Sequence, residues 1–115
     1  MQWIDLNDSL QFKQILEESQ FHPILIFKHS TRCSISHMAK ARLERTESPL
    51  GLPFYYLDLL RYREISNQIS DTLQVAHESP QVLLIHHADC VYDESHSGID
   101  MQEIHTQFIQ LTKKE

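Results

Sequence analysis

Glycine is nearly missing from this chain. Only Gly51 and Gly98 occur in 115 residues, so a GxGxxG dinucleotide fingerprint is excluded by count and a phosphate-cradling P-loop by spacing. Two cysteines, Cys33 and Cys90, exclude an all-cysteine zinc site and a dense disulfide scaffold. No apolar run approaches the roughly 20 residues of a spanning helix. Positive charge is scarce too: 10 Lys and Arg stand against 16 Asp and Glu, a net charge of −6. Duplex nucleic acid and anionic membranes both call for clustered Lys and Arg, so neither is expected as a partner. The start, MQWIDLNDSL, carries Asp and Asn where a secretory signal has basic and then apolar residues. A cytoplasmic protein with reduced thiols is the expectation.

Apolar residues make up 41%, enough for one modest core, and the length fits a single domain over residues 1–115. Residues 3–6 read as a short edge strand. Asp8 with Gln11 forms a capping-box pattern, which predicts a helix over about 9–19 with Leu10, Ile15 and Leu16 as its apolar stripe. Residues 23–27, PILIF, read as a strand buried on both faces. A polar segment, HSTRCS at 29–34, follows. Helical spacing resumes at Ile35, Met38, Ala39 and Leu43, and Pro49, Gly51 and Pro53 end it. Residues 54–60 form a second strand. Ile65, Ile69, Leu73 and Ala76 mark a third helix. Pro80 breaks the chain before a strong strand at 81–86, and residues 90–92 can pair back on it as a hairpin. Asp100 with Glu103 opens a last helix carrying Met101, Ile104, Phe108 and Leu111, where Lys113 and Lys114 suit the helix dipole. The order β-α-β-α-β-α-β-β-α predicts an α/β fold, a mixed central sheet of four to five strands with helices on both faces. The thioredoxin-like fold is one small fold with this order.

Cys33 falls where a buried strand passes into a helix. Unpaired N–H groups and the positive end of the helix dipole stabilise a thiolate there. Arg32, Lys28, His29 and His37 add positive potential nearby. The motif reads Cys33-Ser34-Ile35-Ser36, so the fourth position, where a dithiol oxidoreductase carries its resolving cysteine, is a serine. A single thiol can still attack a mixed disulfide, hold the low-molecular-weight thiol as its own adduct, and be reset by an outside thiol. Ser79-Pro80 immediately precedes the third strong strand. Cys90 reads as structural or incidental. His29, Cys33 and His37 lie on different elements and His86-His87 with Asp89 in a turn, so no dedicated metal site is expected.

Four stretches resemble the monothiol bacilliredoxin family: KHSTRCSIS at 28–36, PFYYLD at 53–58, REISN at 63–67 and HESPQ at 77–81. Ser95-His96 followed by Ile99 resembles a further family element. The resemblance implies a thioredoxin fold and removal of bacillithiol from protein mixed disulfides. It implies Cys33 as the nucleophile and Pro80 as a cis-proline, with Thr31, Ser36 and the Ser79 backbone lining the site; Arg32 and Ser34 beside the thiol are further candidates to meet the substrate. Bacillithiolated client proteins and a low-molecular-weight thiol would be the partners, with bacillithiol a co-substrate and no metal or organic cofactor. Arg32, Lys28 and Arg63 are the candidates to meet the malate carboxylates of bacillithiol. His77 and His96 read as packing or hydrogen-bonding residues of their loops. Two positions depart from the family pattern: Ser34 stands where proline is usual, and Ser97 where tryptophan is frequent. The other readings open at this point are a non-catalytic thioredoxin-like adaptor, a monothiol glutaredoxin-like protein using glutathione or an iron–sulfur cluster, and a redox sensor in which the Cys33 adduct is the signal.

Overall fold

A computed structural model describes residues 1–113; Lys114 lies outside the described residues. Its strands are β1 (Trp3–Asp5), β2 (Ile24–His29), β3 (Phe54–Asp58), β4 (Gln81–His86) and β5 (Asp89–Ser95). Its helices are α1 (Ser9–Glu18), α2 (Ser34–Glu44), α3 (Arg63–Leu73) and α4 (Met101–Lys113), with a 3₁₀ turn at His96–Gly98 that sequence patterning did not resolve. The strands form one mixed sheet in the order β1-β3-β2-β4-β5. β3 runs parallel to β1 and β2, whereas β4 is antiparallel to β2 and β5.

Alternation along the central strand divides the core in two. Leu25 and Phe27 join Ala39 and Leu43 of α2 and Met101 and Ile104 of α4 on one face. Ile24 and Ile26 join Phe12 and Ile15 of α1 and Ile65 and Ile69 of α3 on the other. Each fully buried aliphatic or aromatic side chain contributes roughly 1.5–3 kcal/mol of transfer free energy, so the central strand is the main anchor of everything that follows it.

Several elements depart from the sequence expectation. β2 continues past the apolar run through Lys28 and His29, both buried. Backbone pairing carries the strand on whatever the side chain, Lys28 between β3 and β4 and His29 along β3. In α1 the buried residues are Phe12 and Ile15, followed by the buried C-cap Ser19, and Leu10 is 58% exposed, because the helix lies rotated toward Phe12. In α2 only Ser36, Ala39 and Leu43 are buried. Ile35 and Met38, read as core-facing, are 52% and 61% exposed. β3 ends at Asp58, whose carboxylate accepts from the Leu60 and Arg61 amides and turns the chain. α3 ends at Leu73 because Gln74 takes the left-handed conformation (φ 56°), leaving Ala76 outside the helix. At α1 the cap forms with Asp8 Oδ1 accepting from Leu10 N–H, but Gln11 reaches back to the Asn7 amide.

Candidate functional site

The loops that carry the candidate residues meet at one end of the sheet, and strand register brings them there. β2 runs out at His29, which pairs with Asp58 of β3. Lys28 pairs with Gln81, and Gln81 with Ser95. The C-terminal ends of β2 and β3 therefore adjoin the start of β4 and the end of β5. The Cys33 segment, the head of α3, the loop before β4 and the His96 turn all emerge at this end.

Cys33 is the N-cap of α2, with extended backbone (φ −113°, ψ 121°) and a half-exposed, unpaired thiol. Its own carbonyl accepts the first helical bond, from the His37 amide. The N–H groups of the first turn beyond it lack intrahelical acceptors, as at any helix start. His37 Nε2 lies 2.8 Å from the Thr31 carbonyl. A carbonyl only accepts, so this nitrogen carries the proton, and the ring ties the loop ahead of Cys33 to the helix behind it. Thr31, Arg32 and Ser34 are exposed around the thiol.

Ser36 is different. It is fully buried, and its hydroxyl accepts from the Ser30 amide (3.0 Å) and pairs with His29 Nδ1 (2.6 Å). The position of a second thiol is thus filled by a hydroxyl committed to the interior. His29 stacks on Phe27 and meets His37 edge-on with ring centroids 4.8 Å apart. Burial, aided by His37 and Lys40, pushes its pKa down to about 4. The sequence reading placed a positive charge at His29; in the fold it is a neutral ring, because a buried imidazolium would lose its hydration.

Lys28 also departs from expectation. Its side chain turns to the opposite face of the sheet and donates to Ser66 O, Ser70 Oγ and His77 Nδ1 at 3.2–3.4 Å. It is enclosed and cannot meet a soluble carboxylate at the Cys33 end. Arg32 and Arg63 remain exposed there.

The Ser79–Pro80 peptide is cis. Pro80 O accepts from the His96 amide (3.1 Å), and Arg42 of α2 donates to His96 O and Ile99 O. The turn bearing Ser97 is thereby strapped to the helix that starts at Cys33. Buried Gln81 holds the loop from beneath, its Nε2 donating to Ala76 O and its Oε1 accepting from the Glu78 amide. Gln81 and Arg42 were not singled out from the sequence. The signal for Gln81 was a glutamine opening an otherwise apolar strand. Ser79 Oγ is buried with no hydrogen-bond partner among the described residues.

Cys90 lies at the other end of the molecule. It pairs with Ile85, which pairs with Ile24 at the start of β2. Four residues separate Ile24 from Lys28, about 13 Å along the strand, whereas a disulfide needs Cα atoms within about 7 Å. Burial pushes the Cys90 thiol up to about 11.

The sequence model of the family described as monothiol bacilliredoxin BrxC matches residues 4–104. The chain belongs to the monothiol bacilliredoxin family. Solved structures agree on its fold. A protein described as a candidate oxidoreductase with a thioredoxin fold is 28% identical, with a TM-score of 0.76 over 90% of this chain and 91% of that one. Thioredoxin f2 of Chlamydomonas reinhardtii superposes with a TM-score of 0.71 at 15% identity over 96% of both chains. Fasciola hepatica thioredoxin gives 0.67 at 14% identity, over 92% of this chain and 96% of that one. The bacilliredoxin-family chain is therefore a redox protein of thioredoxin fold, and Cys33 occupies the strand-to-helix junction of that fold.

Proposed function

We propose that the protein is a monothiol thiol-disulfide oxidoreductase that removes bacillithiol from protein mixed disulfides. The observation that carries this reading is the isolation of one accessible thiol. Cys33 stands at a helix start, its would-be partner position holds a buried, doubly hydrogen-bonded Ser36, and Cys90 is remote.

In the first step the Cys33 thiolate attacks the bacillithiol-side sulfur of the client's mixed disulfide. A Cys33–bacillithiol disulfide forms, the client's disulfide bond breaks, and the client sulfur leaves as a thiolate that takes a proton from water. In the second step an outside thiol attacks the adduct and releases Cys33. With no internal thiol in reach, the adduct persists until that partner arrives. The Ser79 backbone ahead of Pro80 provides polar groups for an extended client segment. Thr31 and Ser34 flank the thiol, and the exposed Arg32 and Arg63 are candidate cations for the malate carboxylates. The reaction needs no metal or organic cofactor, and a reducing cytoplasm supplies its thiols.

Intact-mass measurement on reduced protein mixed with a bacillithiolated client tests this. Wild type is expected to gain one bacillithiol while the client loses one, and Cys33→Ala is expected to gain none. Transfer from a glutathionylated client alone would change the co-substrate; transfer from neither would leave a binding adaptor.

A further inference from the structure

Lys28 is a fully buried lysine whose three ammonium hydrogens meet three acceptors, none of them a carboxylate: Ser66 O, Ser70 Oγ and His77 Nδ1. A buried cation without a counter-charge costs stability, and an apolar side chain of similar volume commonly serves the fold as well or better. What the ammonium does contribute is a link between three elements. Lys28 is in β2, five residues before Cys33. Ser66 and Ser70 lie on one face of α3. His77 belongs to the segment of residues 74–80, which has no helix or strand of its own and leads into Ser79-Pro80. The next grip on that segment comes from Gln81, the cross-strand partner of Lys28, through Ala76 O and the Glu78 amide. The two paired residues thus hold the same loop, one from each strand.

We propose that Lys28 is a positioning residue for client docking, its ammonium fixing the 76–80 loop through His77 at the Cys33 end of the sheet. The client contact in this proposal rests on the function inferred above; the tether itself does not. His77 accepts from Lys28 only when Nδ1 is unprotonated, and the charged or titratable groups around the contact are His77 and Glu78 of the loop and Arg63 at the head of α3. Glu78 also faces His96 across 3.7 Å. Burial brings Lys28 down to about 8, so alkaline pH removes the ammonium and weakens the hold.

Transfer kinetics with a bacillithiolated client separate docking from chemistry. Lys28→Met is expected to raise KM about tenfold with kcat within twofold, and to unfold in urea at pH 7 at a midpoint no lower than that of wild type. His77→Ala removes the same contact from the exposed side together with that of Nδ1 to Ser66 Oγ (3.4 Å), and is expected to raise KM at least as much, and the double variant no further than His77→Ala. Wild-type KM is expected to climb above pH 8, and that of Lys28→Met to stay flat. Unchanged KM in both single variants, a loss confined to kcat, or additive effects in the double variant would overturn the docking role. Amide exchange of Glu78, whose N–H is held by Gln81 Oε1, reads without client how firmly the whole loop is held. It is expected to quicken about tenfold in Lys28→Met and His77→Ala, and unchanged exchange in both would overturn the tether. Quickened exchange in a protein whose wild type transfers nothing would overturn the function reading and leave the tether standing.

Discussion

Ser36 shows how much one side chain does at this site. Its hydroxyl satisfies the Ser30 amide and His29 Nδ1 together, and an alanine would leave both without that partner. Ser36→Ala is expected to cost about 1–3 kcal/mol, read as a lower urea midpoint. Ser34 is the opposite case. It is the first helical residue after Cys33, and Cys33 already has the extended backbone that a following proline imposes. Ser34→Pro fits without strain and is expected to raise stability by about 0.4–1 kcal/mol. The same change removes an N–H and a hydroxyl beside the sulfur, so the transfer rate of this variant measures what Ser34 contributes there. His29 makes stability pH-dependent. Its folded value of about 4 lies below the ordinary 6.5, so below pH 6.5 the unfolded chain binds a proton that the folded chain refuses. Stability is then expected to fall between pH 6.5 and 4, by on the order of 2–3 kcal/mol from this residue. Urea titrations of wild type and His29→Gln across that range check it: the difference between the two curves carries the slope.

At the scale of elements, α2 presents two faces of different use. Ser36, Ala39 and Leu43 seat it on the sheet, while Ile35 and Met38 stand in solvent one turn from the thiol. Two large apolar residues beside a reactive group favour contact with a client's own apolar side chains. Ile35→Ser with Met38→Ser is expected to leave the unfolding midpoint within about 0.5 kcal/mol, since neither residue is packed. It is expected to weaken client transfer several-fold through KM, and unchanged KM would place the docking surface elsewhere. The periodicity of Ile35, Met38, Ala39 and Leu43 was legible in the sequence, but its meaning was not. Which of two overlapping stripes faces inward depends on how the helix lies over Phe27 and Leu25, and spacing alone carries no such information. The same holds for Leu10 in α1, exposed because Phe12 takes the inward direction.

At the scale of the whole molecule, the sheet order separates the two thiols. The antiparallel β4 and β5 return Cys90 to the end where β2 begins, and the register leaves it opposite Ile85. Cys90→Ser is expected to leave transfer unchanged and to leave no disulfide-linked species missing when the protein is oxidised. A lost or slowed second step in that variant, followed by mass, would reverse this assignment. The order β1-β3-β2-β4-β5 also decides which loops become neighbours. Segments 30–33, 59–62, 74–80 and 95–99 are far apart in the chain, yet all border the paired ends of β2, β3, β4 and β5.

The sequence by itself determined the element order, the strand-to-helix placement of Cys33 and the serine that replaces a second thiol. Each of these is a local matter of periodicity, breakers and spacing along the chain. Tertiary structure alone decided that Lys28 turns inward to His77, that His29 is neutral, and that Gln81 and Arg42 strap the loops. Those outcomes depend on which strands pair and in what register. Burial, and the charge state it imposes, follows from neighbours that lie tens of residues away.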